Sequence, residues 1–205
     1  MASSATRYLV FDTETTGLPP RHSIYKKYHE PSQFHYYDKC RIVELAMTSC
    51  VYNKTENTHF EIANYSNIVH PEDFVIENDS IHHISNTLAE AYGTSVQYVL
   101  DMFMNEVKKV DILVAHNIEF DIHVVLAELY RQNRTSDVNI MYQKKWYCTM
   151  LHGMAFMETQ RWPKLVNLYQ HVSPNSKIAQ IEQTHRAMDD VWICKQCFQR
   201  IYTES

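Results

Sequence analysis

A short apolar run that ends in two acidic residues is the feature that most constrains how this chain folds. Tyr8-Leu-Val-Phe11 is typical of a buried strand, and it leads directly into Asp12-Thr-Glu14. The strand cannot extend far beyond these acids, because two prolines follow a glycine in Thr15-Thr-Gly-Leu-Pro-Pro20. Residues two apart on a strand share a face, so both carboxylates point to the same side. We therefore expect an acidic pair at the end of a buried strand.

The remaining segments alternate between strand and helix patterns. Residues 41–52 and 58–65 are typical of a hairpin, and residues 111–116 and 146–149 of two further short strands. Apolar side chains recur at helical spacing in residues 94–110, 117–131, 150–158, 162–171 and 185–201. Strands that come first and then alternate with helices indicate an α/β protein whose mixed sheet is flanked by helices.

Length and composition exclude several classes of protein. With 205 residues, 45% of them hydrophobic, we expect one globular domain spanning residues 1–205. The apolar runs are too short for a membrane span, and the start of the chain lacks a hydrophobic signal core. We expect an intracellular protein, cytoplasmic or nuclear, that is neither secreted nor bound to a membrane. The net charge of −5 means that any surface for nucleic acid must be local.

A further acid follows the strand at residues 111–116. In Ala115-His-Asn-Ile-Glu-Phe-Asp121 the strand runs into a helix whose first turn contains Asp121. The positive end of the helix dipole favours a carboxylate there. On its own, this position is explained as well by the dipole as by a role in chemistry.

The last predicted helix separates two neighbouring acids. Its inward stripe follows alternating spacings of four and three residues and consists of Ala187, Val191, Cys194, Phe198 and Ile201. At about 100° per residue, Asp190 falls at the edge of this stripe and Asp189 on the opposite side. A buried carboxylate without a partner is costly, and a metal ion would remove that cost. His185 lies five residues before Asp190, so we place it on the loop entering the helix, with Thr184 as the cap.

Taken in order, these acids and the histidine resemble the DEDDh family of 3′–5′ exonucleases, the DnaQ-like group that includes the polymerase III epsilon proofreading subunits. The resemblance covers about residues 6–200. It includes the context of each motif: Phe-Asp-Thr-Glu-Thr-Thr-Gly-Leu18, Arg-Ile-Val-Glu-Leu-Ala46, Asn-Ile-Glu-Phe-Asp121 and His-Arg-Ala-Met-Asp-Asp190. The family often has Ile-His-Gly-Ile where this chain has Ile81-His-His-Ile84, so His83 replaces a glycine.

The resemblance implies a ribonuclease-H-like, five-stranded mixed sheet with two divalent ions, Mg²⁺ or Mn²⁺, at its acidic end. The metal ligands, which are also catalytic, would be Asp12, Glu14, Asp121 and Asp190, because carboxylate oxygens suit these hard cations. His185 would be the catalytic base that takes the proton from the attacking water. The implied contacts to the substrate are Thr15, Gly17, Leu18, His82, His83 and Asn117.

Three functional interpretations stay open at this point. The first is an exonuclease acting on single-stranded or mismatched 3′ ends of DNA and releasing nucleoside monophosphates. The second is an exoribonuclease of the RNase T or oligoribonuclease type, because recognition of a 2′-OH depends on local contacts. A non-catalytic nucleic-acid-binding module is less favoured, since none of the five family residues is missing. A polymerase partner is left open.

Three segments combine basic and aromatic residues. The extended segment at about residues 19–40, taken together with Arg41, has five lysines and arginines against two acids, and it also contains several tyrosines. Basic groups contact phosphates and aromatic rings stack on bases, so the segment either binds single strands or is a solvated insertion. Gln143-Lys-Lys-Trp-Tyr147 and Arg161-Trp-Pro-Lys164 have a similar character but overlap predicted core elements, which disfavours contact with a strand.

Overall fold

A mixed five-stranded sheet forms the centre of the fold in the computed structural model, which describes residues 5–174 and 185–202. The strands are β1 (Ala5–Thr15), β2 (Ile42–Asn53), β3 (Thr58–Ile68), β4 (Ile112–Ala115) and β5 (Lys145–Cys148). Their order across the sheet is β3-β2-β1-β4-β5. β2 is antiparallel to β1 and β3, while β4 is parallel to β1 and β5. The predicted five-stranded mixed sheet is confirmed.

Helices lie on both faces of the sheet. They are α1 (Asp79–His82), α2 (Asn86–Tyr92), α3 (Val96–Val107), α4 (Ile118–Arg131), α5 (Thr135–Gln143), α6 (Thr149–Phe156), α7 (Leu165–Val172) and α8 (Ala187–Ile201). Helical spacing in the sequence predicted α3, α4, α6, α7 and α8, and it missed α1, α2 and α5. Within residues 5–174 and 185–202, no helix is both long enough and apolar enough to span a membrane.

The apolar run in β1 is buried on both sides. Leu9 and Phe11 face the cluster formed with α3 and α4, whereas Tyr8 and Val10 face the cluster formed with α7 and α8. Alternate residues of a strand point to opposite faces, so a strand covered on both faces is apolar throughout. The continuous run therefore marks the strand at the centre of the fold.

The acidic end of β1 lies beyond its pairing with β4. The parallel pairing joins residues 8–10 to residues 112–114, so Asp12 and Glu14 come after its last pair. On the other side β1 stays paired with β2, where Glu14 lies opposite Glu44. This leaves one edge of the acidic end open to residues from the helices.

Candidate active site

Three carboxylates come together at the end of β1. Oxygen atoms of Asp12, Glu14 and Asp190 lie within 4.8 Å of one another. Asp190 is in the first turn of α8 and is 6% exposed, whereas its neighbour Asp189 is exposed. The opposite orientation predicted for these two neighbours is confirmed. Helix α8 thus brings its inward acid to the two acids of β1, and we call these three residues the acidic cluster.

Asp121 lies beside the acidic cluster, in the first turn of α4, and is 2% exposed. The backbone N–H and the hydroxyl of Thr13 both donate hydrogen bonds to its Oδ1, over 3.0 and 2.8 Å. Thr13 lies between the two acids of β1, so these bonds hold the start of α4 against the acidic end of the strand. The fourth predicted acid is thereby fixed next to the other three.

Burial and mutual repulsion raise the pKa of the acids at this site. Burial, followed by the charges of the neighbouring carboxylates, raises the pKa of Asp12 well above its usual range. The same causes raise the pKa of Glu14 to about 8. Burial raises the pKa of Asp121 to about 7 although the bonds from Thr13 act to lower it. A set of crowded carboxylate oxygens is the donor set that Mg²⁺ or Mn²⁺ prefers, so these residues fit a divalent cation.

An ion pair between a buried glutamate and a half-buried arginine fixes the start of α8. Glu44 in β2 is fully buried and accepts hydrogen bonds from Nε and Nη2 of Arg186, over 3.0 and 2.9 Å. It also accepts from the Ser66 hydroxyl at 2.7 Å and from the backbone N–H of Ala187 at 3.2 Å. Burial acts to raise the pKa of Glu44, but the bonds from Arg186 and Ser66 hold it below its usual value. The pair therefore ties the first residue of α8 to the strand next to the acidic cluster.

Sequence reasoning missed the role of this pair, although both residues belong to the family-like motifs. A charged residue in the otherwise apolar run Ile42-Val-Glu-Leu-Ala-Met47 was the available signal. A glutamate there must be buried, and a buried carboxylate requires a partner.

His185 lies two residues before α8 and is exposed. Its position on the loop entering the helix agrees with the prediction, and its backbone is left-handed with φ of 49°. The predicted cap, Thr184, lies outside the described residues. Arg186, which pairs with Glu44, follows directly, so this ion pair anchors the chain next to the histidine. The role of His185 as a base stays a prediction.

The turn after β1 contains three of the residues predicted to contact substrate. Thr15 is buried, and its hydroxyl donates to the carbonyl of Gly17 over 2.8 Å. A Cβ atom at Gly17 would lie 2.9 Å from the carbonyl oxygen of Lys39, so this close approach requires glycine. Leu18 is 79% exposed. Thr15 and Gly17 therefore shape a tight turn, from which only Leu18 projects into solvent.

The structure does not support a substrate contact for the side chain of His82. This side chain is fully buried. The N–H of Ile84 donates to Nδ1, so the neutral ring has its proton on Nε2, which donates to Oδ1 of Asn78 over 3.3 Å. Asn78 in turn donates to the carbonyl of Thr15 over 2.9 Å. The histidine thus links the 78–84 segment to the end of β1, a role that its place in a polar sequence did not reveal.

His83 and Asn117 are the two remaining predicted contacts, and both have left-handed backbones. His83 caps the end of α1 with φ of 61° and is exposed. Asn117 joins β4 to α4 with φ of 63°, a conformation that asparagine tolerates better than most residues. Asn117 therefore sets the direction in which α4 leaves the sheet. Contact of His83 or Asn117 with the substrate stays a prediction.

The segment at residues 19–40 is partly packed onto α4. Tyr37 is 1% exposed, donates from its hydroxyl to the carbonyl of His29 over 2.6 Å and lies 3.0 Å from Nδ1 of His123. Asp38 pairs with Arg131 of α4 at 2.8 Å. These contacts favour a packed insertion for the end of the segment, around Tyr37 and Asp38, because a buried tyrosine cannot stack on a base.

The chain matches the family model described as Exonuclease over residues 9–198. It is similar in structure to E. coli exonuclease I in complex with a dT13 oligonucleotide, with a TM-score of 0.64 and 14% identity over 96% of this chain and 41% of that chain. For the zinc-bound E. coli exonuclease I–single-stranded DNA complex the TM-score is 0.61, at 15% identity over 96% and 40% of the two chains. For exonuclease I from Methylocaldum szegediense the TM-score is 0.58, at 15% identity over 95% of this chain and 40% of that chain. The chain spans less than half the length of these proteins, and no curated protein matches it significantly.

Proposed function

This chain belongs to the exonuclease family, and we propose that it hydrolyses the phosphodiester bond at the 3′ end of single-stranded or mismatched DNA, releasing nucleoside monophosphates. The observation that carries the proposal is the meeting of Asp12, Glu14 and Asp190 within 4.8 Å, with Asp121 held beside them. Four acids gathered from two strand positions and two helix starts are difficult to explain by stability alone, because their charges repel one another.

These four acids are the proposed ligands of two divalent ions, Mg²⁺ or Mn²⁺. Bound ions of this kind lower the pKa of water and stabilise the charge that develops on an attacked phosphate. The protein's own contribution is to hold the acids in place. Thr13 fixes Asp121, and the pair of Glu44 and Arg186 fixes the start of the helix that contains Asp190.

His185 is the proposed general base. It is exposed on the loop directly before α8, so its imidazole is open to water and to a strand lying on the acidic cluster. An imidazole can accept the proton of the attacking water near neutral pH. The side chain of Arg186 and the backbone N–H of Ala187 are both bound to Glu44, which restricts the movement of this loop and supports a fixed position for the histidine.

Single-stranded DNA is the favoured substrate for two reasons. The structural neighbours include E. coli exonuclease I bound to a dT13 oligonucleotide. In this chain the exposed Leu18 lies on the rigid turn after β1, where it can separate a terminal nucleotide from the next one. An unpaired or mismatched end reaches such a site at a lower cost than a stacked, paired end. Exoribonuclease activity is the alternative, and degradation of labelled RNA tests it.

Degradation of end-labelled strands tests the proposal. DNA and RNA, each single-stranded and double-stranded, are incubated with Mg²⁺ or Mn²⁺ and, separately, with EDTA. We expect mononucleotides from single-stranded DNA with metal and no product with EDTA. Asp190→Ala should abolish the reaction, and the matched control Asp189→Ala should not, since the exposed Asp189 points away from the acidic cluster. Long fragments from a circular single strand would show an endonuclease and contradict the proposal.

A further inference from the structure

A groove of about 340 Å³ opens beside the acidic cluster. Asp12 and Asp190 both line it, so the groove and the acidic cluster share two carboxylates. His116, Trp162 and Lys164 line other parts of it. A strand bound with its scissile phosphate at the acids would therefore lie next to this groove.

The loop that contains Trp162 is anchored to the sheet. Pro163 and Leu165, on either side of Lys164, are buried. Nε2 of His116, directly after β4, lies 3.0 Å from the carbonyl of Pro163, and because a carbonyl only accepts, Nε2 carries the proton. Burial lowers the pKa of His116 to about 4, so the ring is neutral at pH 7. Its Nδ1 then accepts from the hydroxyl of Thr149, 3.0 Å away.

Trp162 stays 65% exposed on this anchored loop. An exposed indole with a fixed backbone loses little freedom when a base stacks on it, which favours binding. Lys164 is also exposed and is the one cation among the residues that line the groove. It therefore adds a positive charge to a groove that also contains two carboxylates, and a positive charge attracts phosphates.

We propose that Trp162 and Lys164 form a nucleotide subsite next to the cleaved bond. The indole stacks on one base, and the ammonium group contacts a neighbouring phosphate. The subsite accepts all four bases, because every base has a π-face. This inference rests on the proposed function, since it requires that the acidic cluster cleaves the strand that the subsite binds.

Oligonucleotides with one abasic residue test the stacking. The abasic residue is moved one position at a time from the 3′ end, and binding is measured in EDTA so that the strand stays intact. For the wild type we expect one position at which the missing base weakens binding by about 5- to 150-fold, the worth of one stacked base. Trp162→Ala should lose the same factor on the intact strand and should no longer respond to that position. Trp162→Phe should retain most of the affinity.

Matched variants separate this subsite from general effects. Tyr98→Ala removes another exposed aromatic side chain, from α3, and should bind like the wild type. Lys164→Gln should make the slope of log K against log salt shallower by about 0.7, the value for one phosphate contact on a single strand. Urea unfolding of each variant shows whether the loop change has disturbed the fold.

Two negative results have different meanings. An abasic profile of Trp162→Ala that equals the wild-type profile, in a protein that binds and cuts single strands, refutes the subsite and leaves the proposed function intact. A wild type that neither binds nor cuts any labelled strand refutes the proposed function and the subsite together.

Discussion

Replacement of Asp121 by asparagine should stabilise the metal-free protein at alkaline pH while it abolishes hydrolysis. The amide oxygen of asparagine can accept both hydrogen bonds that Thr13 donates, at 3.0 and 2.8 Å. The change therefore keeps the contact between α4 and β1 and removes one negative charge from the buried acids. Stability and catalysis are expected to move in opposite directions.

The size of the effect follows from the pKa of Asp121, which burial raises from 3.8 to about 7. A raised folded-state pKa means that the folded protein binds this proton more tightly than the unfolded chain does. The free energy of unfolding is therefore unaffected below about pH 4 and falls as the pH rises to about 7. Each pH unit in this window corresponds to about 1.4 kcal/mol. Because the neighbouring acids share the repulsion, we expect Asp121→Asn to recover ~2–4 kcal/mol above pH 7.

Urea unfolding in EDTA measures this difference at pH 4.5 and at pH 8.5. The variant should unfold at a higher urea concentration than the wild type at pH 8.5, and the two midpoints should approach each other at pH 4.5. Asp189→Asn is the matched control, because it removes a charge from an exposed residue of α8. A variant no more stable than the wild type at pH 8.5 would show that the charge of Asp121 is already compensated in the metal-free fold.

Further outcomes concern the metal, the base and two buried contacts. Mg²⁺ at 100 times its dissociation constant should raise the wild-type free energy of unfolding by about 2.7 kcal/mol, measured by urea titration, and Asp190→Ala should lose this gain. His185→Ala should lower turnover of a labelled strand by about 10²–10⁴-fold with unchanged strand affinity. Tyr37→Phe removes the bond to the carbonyl of His29 and should cost ~1–2 kcal/mol of stability without weakening strand binding. Arg186→Ala leaves Glu44 buried with fewer partners and should lower the free energy of unfolding by ~2–3 kcal/mol. The loss is smaller than for a fully buried pair because the guanidinium is 39% exposed. Arg186→Lys should restore part of both stability and turnover.

The acidic end of the sheet was predictable from the sequence because its determinants are local. Strand alternation alone places Asp12 and Glu14 on one side, and helical spacing alone separates Asp190 from Asp189. The apolar run of β1 also identifies the strand that is covered on both faces. The longest stretch that any of these inferences requires is the 15 residues of α8.

The missed features depend on contacts between distant parts of the chain. His82 joins the end of β1 through Asn78, whose partner Thr15 is 63 positions away. Tyr37 lies against His123, 86 positions away. A polar or aromatic residue in a loop-like stretch gives no sign of such a partner. The burial of these two side chains could therefore not be derived from local patterns.

His83 has a left-handed backbone, the conformation that glycine adopts most easily. The replacement of the family's glycine by histidine therefore affects the conformational energy of the backbone at this position. In that conformation the Cβ of any residue other than glycine approaches a carbonyl oxygen, at a cost of roughly 1–2 kcal/mol. The chain has only three glycines, and none of them has a positive φ, whereas His83, Asn117 and His185 are among the other residues in the described ranges that do. Non-glycine residues sample fewer backbone states when the chain is unfolded. The strain at these bends in the folded protein is thus offset in part by a smaller loss of conformational entropy on folding.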